Sequence, residues 1–175
     1  MPATNPIAQI RLLITGGTID KSYCPVEGAL SFSRTHVLAM LKQARVILPE
    51  EQVQTLLLKD SLDLTEADRE IICQSAAAVT ETKIIVTHGT DTMVQTAECL
   101  AAKQLAKTVV LVGAMVPYTF SNSDGLFNLG LAFGAVQLLP AGVYVAMNGR
   151  IFPWTAVRKN KSQGIFETVS SSATR

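Results

Sequence analysis

Charged side chains are scarce in this sequence. Asp, Glu, Lys and Arg make up 17% of its 175 residues, against a usual share of about a quarter, whereas hydrophobic residues make up 48%. Fifteen basic residues balance fourteen acidic ones, which leaves a net charge of +1. The chain therefore lacks the low hydrophobicity of a disordered protein and the basic surface that binds nucleic acid or an anionic membrane. We expect a globular protein with neither partner.

Cysteines and targeting signals are also few. Cys24, Cys73 and Cys99 are an odd number at wide spacings, without a C-x-x-C pair, which favours a reducing cytoplasm over a disulfide framework or a zinc site. No basic segment precedes the first apolar run, which Arg11 interrupts, so a secretory signal is not expected. Polar residues and a proline interrupt the apolar segment 126–147, which favours a buried helix and a strand over a membrane span.

Apolar runs and helical patterns alternate along the chain. The runs are rich in β-branched residues and predict strands at residues 10–14, 53–58, 84–86, 109–112 and 143–146. The patterns between them predict helices at residues 35–44, 66–79, 92–105 and 126–139, the second of which starts with a capping box. Residues 165–169 are a weaker candidate for a further strand.

This alternation predicts a single α/β domain over residues 1–175. The expected fold is a doubly wound, mostly parallel, five-stranded sheet with helices on both faces, as in flavodoxin-like and Rossmann-like proteins. Ligands of such sheets bind beyond the carboxyl ends of the strands. Hydroxyl groups, carboxylates and glycines follow the predicted strands there, in residues 15–20, 59–63, 87–92 and 113–115. We expect the functional site at this edge.

The usual cofactor motifs are absent. Neither the dinucleotide-binding fingerprint nor the P-loop can be written in the sequence, although Gly16 and Gly17 follow a predicted strand. His36 and His88 lie far apart without companions at ligand spacing, so no metal site is expected and each is interpreted as structural. The elbow motif of a catalytic serine is missing too. No cofactor is predicted.

Threonine hydroxyls remain as candidate nucleophiles. A threonine reacts at neutral pH only beside a base, which can be a lysine whose pKa is lowered by desolvation. Thr18, Thr90, Asp91 and Lys159 could form such a group, which would suit acyl transfer. The structural interpretation remains open at this point, because threonines after glycines are often turn or cap residues. Lys159 lies in the basic run 158–161, which by itself favours a solvated loop.

An acyl-transfer enzyme also needs donors for the oxyanion of its intermediate. Backbone N–H groups at residues 17–18 and 89–90 lie next to the candidate threonines. Such groups at the start of a turn or helix can form an oxyanion hole.

Two segments resemble the signatures of the bacterial-type L-asparaginase/glutaminase family. They are Thr-Gly-Gly-Thr-Ile at residues 15–19 and Thr-His-Gly-Thr-Asp-Thr-Met at residues 87–93. The likeness continues through residues 60–63, 112–115, 123–129 and 145–148. It implies an amidohydrolase that converts L-asparagine to L-aspartate and ammonia through a threonine acyl-enzyme, with L-glutamine as a side substrate.

The resemblance also implies roles for individual residues. It assigns catalysis to Thr18 as the nucleophile and to Thr90, Asp91, Lys159 and Tyr23. Ser61 and Asp91 match the residues that hold the α-carboxylate and the α-amino group of the substrate. The predicted substrate contacts are Ser61, Asp63, Asp91, Gly17, Gly89 and Ala114.

The resemblance covers only the N-terminal domain of the usual family member. We expect no counterpart of the smaller C-terminal domain, which completes the active site of a neighbouring subunit in the family, and Glu27, Glu167 or a second copy of the chain are candidates to replace it. Leu62 stands where long members often have a glutamine. The low charged share favours burial against copies, so we expect a homo-oligomer, a dimer or a tetramer. Two alternatives are an amino-acid-binding module without turnover and a subunit that needs a different partner chain.

Overall fold

Parallel strands form most of the central sheet in the computed structural model, which describes residues 9–169. The strands are β1 (Ile10–Gly16), β2 (Ser22–Cys24), β3 (Ala29–Ser31), β4 (Val53–Lys59), β5 (Lys83–Thr87), β6 (Thr108–Val112), β7 (Gly142–Met147), β8 (Arg150–Pro153), β9 (Val157–Asn160) and β10 (Ile165–Thr168). The helices are α1 (Val37–Gln43), α2 (Glu66–Ala78), α3 (Met93–Ala102) and α4 (Gly125–Leu138).

The central sheet has six strands, in the order β4-β1-β5-β6-β7-β8. The first five strands in this order are parallel, and β8 is antiparallel to β7. The order of the parallel strands is that of a flavodoxin-like sheet. The predicted α/β class with a mostly parallel sheet is therefore confirmed, whereas the predicted number of five strands is one too low.

The sixth strand follows β7 through a tight turn. Asn148 and Gly149 both have positive φ, 54° and 73°, as a type I′ hairpin turn requires. An Asn-Gly pair is a strong hairpin signal, but β8 itself reads Arg-Ile-Phe-Pro. This segment is too short and too polar at its ends to stand out as an apolar run.

Alternate residues of the buried strands pack against different helices, because successive side chains of a strand point to opposite faces. Leu12 of β1 belongs to the cluster that α1 and α4 cover, with Met40 and Phe133. Leu13 belongs to the cluster that α2 and α3 cover, with Ile72 among its members. The predicted arrangement of helices on both faces is confirmed, as is the capping box in which Thr65 starts α2.

Two small hairpins lie outside the central sheet. The strands β9 and β10 are antiparallel, and Val157 and Phe166 anchor them in the cluster of α2 and α3. The other hairpin, β2 and β3, follows β1 and exposes Tyr23 and Leu30. Among residues 9–169, none of the helices has the length and apolar character that a membrane crossing requires.

Candidate functional site

Three loops meet at the carboxyl ends of β1, β4 and β5 with no room for a side chain between them. A Cβ atom on Gly17 would lie 2.3 Å from the backbone nitrogen of Gly89. A Cβ atom on Gly89 would lie 2.6 Å from the Cβ of Ser61. Glycine at these two positions therefore lets the loops after the three strands touch, as the edge of a parallel sheet predicts.

Thr18 begins the short 3-10 turn Thr18–Asp20 directly after β1. Its side chain is partly exposed, and within residues 9–169 its hydroxyl has no hydrogen-bond partner. The N–H of Gly17 donates to the carbonyl oxygen of Lys59 over 2.9 Å. This N–H is therefore already engaged and does not serve an oxyanion hole in this conformation, whereas an oxyanion hole at Thr18 or at residues 89–90 stays a prediction.

Thr90 and Asp91 both bind Lys159, which reaches them from β9. The Lys159 Nζ lies 2.7 Å from Thr90 Oγ1 and 2.9 Å from Asp91 Oδ1. Thr90 is buried and the Lys159 side chain is only 12% exposed. The interpretation of Lys159 as a solvated loop residue is therefore wrong. The ammonium form donates to both partners, whereas the neutral amine could accept the hydroxyl proton of Thr90.

Ser61 lies in the 3-10 turn Ser61–Asp63 after β4 and is 1% exposed. Its Oγ accepts a hydrogen bond from the N–H of Asp91 over 3.2 Å, and its carbonyl oxygen accepts one from the Thr92 hydroxyl over 2.7 Å. Since Oγ acts as an acceptor in this contact, the hydroxyl proton of Ser61 remains available to a ligand.

His88 stabilises the loop that carries Thr90 through two buried hydrogen bonds. Its Nδ1 lies 2.7 Å from the carbonyl oxygen of Gly89, and its Nε2 lies 2.8 Å from the Thr96 hydroxyl. A carbonyl only accepts, so Nδ1 carries the proton and Nε2 accepts from Thr96. Complete burial lowers the pKa of His88 to about 4, which keeps the ring neutral at pH 7. His88 thus has the structural role that the sequence predicts.

The loop after β6 contains Ala114, which is fully buried. The carboxylate of Asp124 accepts hydrogen bonds from the N–H groups of Met115 and Val116 over 2.9 and 3.0 Å. Asn128 donates to the carbonyl oxygen of Gly113 over 3.1 Å. Segment 123–129, which carries part of the family resemblance, thus shapes this loop.

An ion pair that the sequence does not predict connects Lys21 and Asp60. Burial acts to raise the pKa of Asp60, but the N–H of Leu62 and the charges of Lys21 and Lys159 together hold it below its usual value. Asp60 is therefore a carboxylate at neutral pH. Because Lys21 is near Asp60 only in the folded chain, no local pattern could have indicated the pair.

Two predicted site residues lie at the surface. Tyr23 is 57% exposed on β2, and Asp63 is exposed at the end of its turn. Within residues 9–169, neither side chain has a hydrogen bond to Thr18, Thr90 or Lys159. Their predicted roles depend on an approach that this conformation does not show.

Within residues 9–169, the residues suggested as replacements for a second domain form no hydrogen bond with Thr18 or Thr90. Glu27 is exposed in the turn between β2 and β3. Glu167 binds Arg158 and Asn160 on the β9–β10 hairpin. In the part of the chain that the structure describes, no three metal-binding side chains lie close enough to share an ion.

Comparison with known proteins gives a consistent family assignment. The family profile described as "Asparaginase, N-terminal" matches residues 9–174. L-asparaginase 1 of Escherichia coli strain K12 is 29% identical over 166 residues, which cover 89% of this chain and 48% of that protein. A glutaminase-asparaginase of Pseudomonas fluorescens is 28% identical over 160 residues, with 83% and 43% covered.

Solved structures agree with these relatives. The thermostable L-asparaginase from Thermococcus kodakarensis has a TM-score of 0.79 and 29% identity, covering 91% of this chain and 51% of that one. The probable cytoplasmic L-asparaginase from Campylobacter jejuni has a TM-score of 0.78 and 28% identity, covering 94% and 54%. The chain thus spans about half the length of the proteins that it matches.

Proposed function

The chain belongs to the asparaginase family, whose N-terminal profile it matches, and from this premise we propose that it hydrolyses the side-chain amide of L-asparagine to L-aspartate and ammonia. The observation that carries the proposal is that two loops, each with a threonine, touch at one edge of the sheet. Thr18 has an unpaired hydroxyl within the described residues, and Thr90 is hydrogen-bonded to Lys159. Gly17 and Gly89, which directly precede these two threonines, lie in contact with each other.

Two steps account for the reaction. The Thr18 oxygen attacks the amide carbon and forms an ester, while the carbon–nitrogen bond breaks and ammonia leaves with the proton of the hydroxyl. Water then attacks the ester, releases aspartate and returns a proton to Thr18. The Thr90–Lys159 pair supports proton transfer in both steps, because a neutral lysine amine can take a proton through the bonded hydroxyl.

The substrate's charged groups have counterparts at the site. Ser61 has a hydroxyl proton for the α-carboxylate, and Asp91 has a second carboxylate oxygen for the α-ammonium group while the first binds Lys159. L-glutamine is longer by one methylene, a difference worth only ~1–3 kcal/mol in a pocket. We therefore expect glutamine to be a slower second substrate.

Ammonia release from L-asparagine and L-glutamine tests the proposal. We expect Thr18→Ala to lower the rate by about 10³-fold or more, with an unfolding temperature close to that of the unchanged protein. Thr80→Ala is the control, since Thr80 is a threonine in the loop before β5. A fully active Thr18→Ala variant would overturn the nucleophile assignment. Binding of asparagine in a calorimeter without ammonia release would instead indicate a binding module.

The homo-oligomer and the cytoplasmic location belong to the same proposal. Phe127 and Leu138 of α4 are 66% and 85% exposed, which leaves apolar surface that a second copy could cover. The three cysteines are unpaired, which suits a reducing compartment. Light scattering at micromolar concentration should give a dimer or a tetramer, and a fully active monomer would contradict the oligomer.

A further inference from the structure

The ion pair between Lys21 and Asp60 joins the turn that carries Thr18 to the turn that carries Ser61. The side chains are 20% and 25% exposed, so water competes only partly for the pair. Within residues 9–169, no other ion pair of the structure connects these two turns.

Each partner also closes its own turn. The N–H of Lys21 donates to the carbonyl oxygen of Thr18 over 3.1 Å at the end of the first turn. Asp60 accepts the N–H of Leu62 over 3.0 Å with Oδ1 at the start of the second turn, and its Oδ2 binds Lys21. The pair thus connects the residue that follows one turn with the residue that precedes the other.

The Lys21 side chain has little freedom to move. Its Nζ lies 5.6 Å from the centre of the Phe32 ring, within the range of a cation–π contact. Its backbone oxygen accepts a weak hydrogen bond from the Thr119 hydroxyl over 3.4 Å. The Phe32 ring thus adds a second attraction for the ammonium group beside the carboxylate of Asp60.

We propose that Lys21 is a positioning residue whose ion pair with Asp60 sets the distance between the Thr18 and Ser61 hydroxyls and thereby selects the chain length of the amide substrate. The inference rests on the proposed function, in which Ser61 holds the α-carboxylate and Thr18 attacks the amide carbon. The proposal requires that the locked turns hold the α-carboxylate and the amide carbon at the shorter separation found in asparagine. With the lock removed, asparagine loses its well-aligned attack and the longer substrate loses less.

Four variants test this proposal. Lys21→Met and Asp60→Asn each remove the ion pair. Asp60→Asn keeps a side-chain oxygen at position 60 that can accept the N–H of Leu62. Lys21→Arg retains the pair, and the double variant Lys21→Met/Asp60→Asn tests whether both residues act through it. Arg11→Met is the control, because the Arg11–Glu81 pair has similarly low exposure, 18% and 11%, at the other end of β1.

The expected result is a change of specificity with little change of stability. Lys21→Met and Asp60→Asn should lower kcat for asparagine about fivefold, change KM less, and lower the preference for asparagine over glutamine. Lys21→Arg should keep kcat and the preference for asparagine close to those of the unchanged protein. The double variant should lower them no further than either single variant does. Equal losses for both substrates, or values like those of Arg11→Met, would overturn the proposal, since a merely structural pair would act in that way.

Hydrogen–deuterium exchange separates this inference from the proposed function. If the unchanged protein releases no ammonia from either substrate, the proposed function fails, and with it the selection of substrate length. The lock itself is then judged by exchange at residues 17–22 and 59–63. Faster exchange in both segments of Lys21→Met, but not of Arg11→Met, would support the lock, and unchanged exchange would overturn it.

Discussion

The segments that carry Thr18 and Thr90 begin alike and end differently. Both follow buried parallel strands, β1 and β5, with Thr-Gly-Gly-Thr in one and Thr-His-Gly-Thr in the other. Thr90 is 4% exposed and bound to Lys159, whereas Thr18 is partly exposed with an unpaired hydroxyl within the described residues. Similar local sequences therefore give one fixed hydroxyl and one accessible hydroxyl.

The elements that come after the two segments account for the difference. The Thr90 loop leads into α3, whose Thr96 holds the buried ring of His88. The Thr18 turn leads into the hairpin of β2 and β3, where Tyr23 is 57% and Val26 95% exposed. Under the proposed function, the base group lies where a helix and a strand pack closely, and the nucleophile lies at the start of a lightly packed hairpin, which would combine precision with access.

Lys159→Met removes the side chain that fixes the Thr90 hydroxyl and should have the largest effect. Loss of the amine leaves the Thr90 hydroxyl without its partner, so we expect kcat to fall by about 10²–10⁴-fold, with a smaller change in KM. Steady-state ammonia release measures this. Lys161→Met is the control, because Lys161 is exposed two residues away. A Lys159→Met variant with more than a tenth of the activity would exclude Lys159 as the base.

Gly17→Ala disrupts the contact between the Thr18 segment and the Thr90 segment. The new Cβ would lie 2.3 Å from the Gly89 nitrogen, at a φ of 81°, so we expect a loss of about 2–3 kcal/mol in the free energy of unfolding. Gly28→Ala separates clash from strain, since Gly28 has a φ of 63° with nothing within 4 Å of its Cβ. Urea denaturation should show a clearly smaller loss for Gly28→Ala; equal losses would mean that the contact is not tight.

The sheet was predictable because its strands are apolar enough to be recognised without tertiary information. Every residue of β6 is buried, as are four of the five residues of β5. The β2–β3 hairpin was not predicted, because its strands have three residues each and none of these residues is buried. Burial on both faces leaves a signal in the sequence, and short exposed pairing does not.

The site was predictable only in part, for a related reason. The threonines stand in recognisable segments, but Lys159 lies in a basic run that is typical of a solvated loop, and the family resemblance was needed to favour its role as a base over that interpretation. Lys21 gave no signal, since its partner Asp60 is 39 residues away on another loop. Contacts between side chains from different strands depend on register and loop shape, which local sequence does not encode.

Asp20→Asn probes the anchor of the Thr18 turn through its pH dependence. Asp20 is fully buried, and desolvation raises its pKa from 3.8 to about 6, although the His36 N–H and the Thr35 hydroxyl both donate to it. A raised folded-state pKa gives stability that is present below pH 3.8 and is lost as the pH rises through 6. Asp20→Asn should therefore become more stable than the unchanged protein by about 1–3 kcal/mol as the pH rises from about 4 to about 7.

Asp68→Asn is the matched control of opposite sign. The Lys59 ammonium and the Thr65 groups lower the pKa of Asp68 to about 2, so its carboxylate stabilises the fold above pH 3.8 and loses this effect as the pH falls toward 2. Thermal unfolding at several pH values should show Asp68→Asn less stable than the unchanged protein at neutral pH. A pH-independent difference for Asp20→Asn would show that Asp20 is not desolvated in the folded protein.

Tyr23→Phe changes the exposed hairpin that follows Thr18 and should have the smallest effect. The Tyr23 hydroxyl is on the exposed hairpin without a hydrogen bond to the described residues, so the free energy of unfolding should change by less than about 0.5 kcal/mol. In the proposed function Thr90 and Lys159 transfer the proton, and we therefore expect kcat to fall less than about tenfold. A fall of about 10²-fold or more would be the size of a proton-transfer role. The hairpin would then have to close over Thr18 during the reaction, and the open half of the site would become fixed only when substrate is bound.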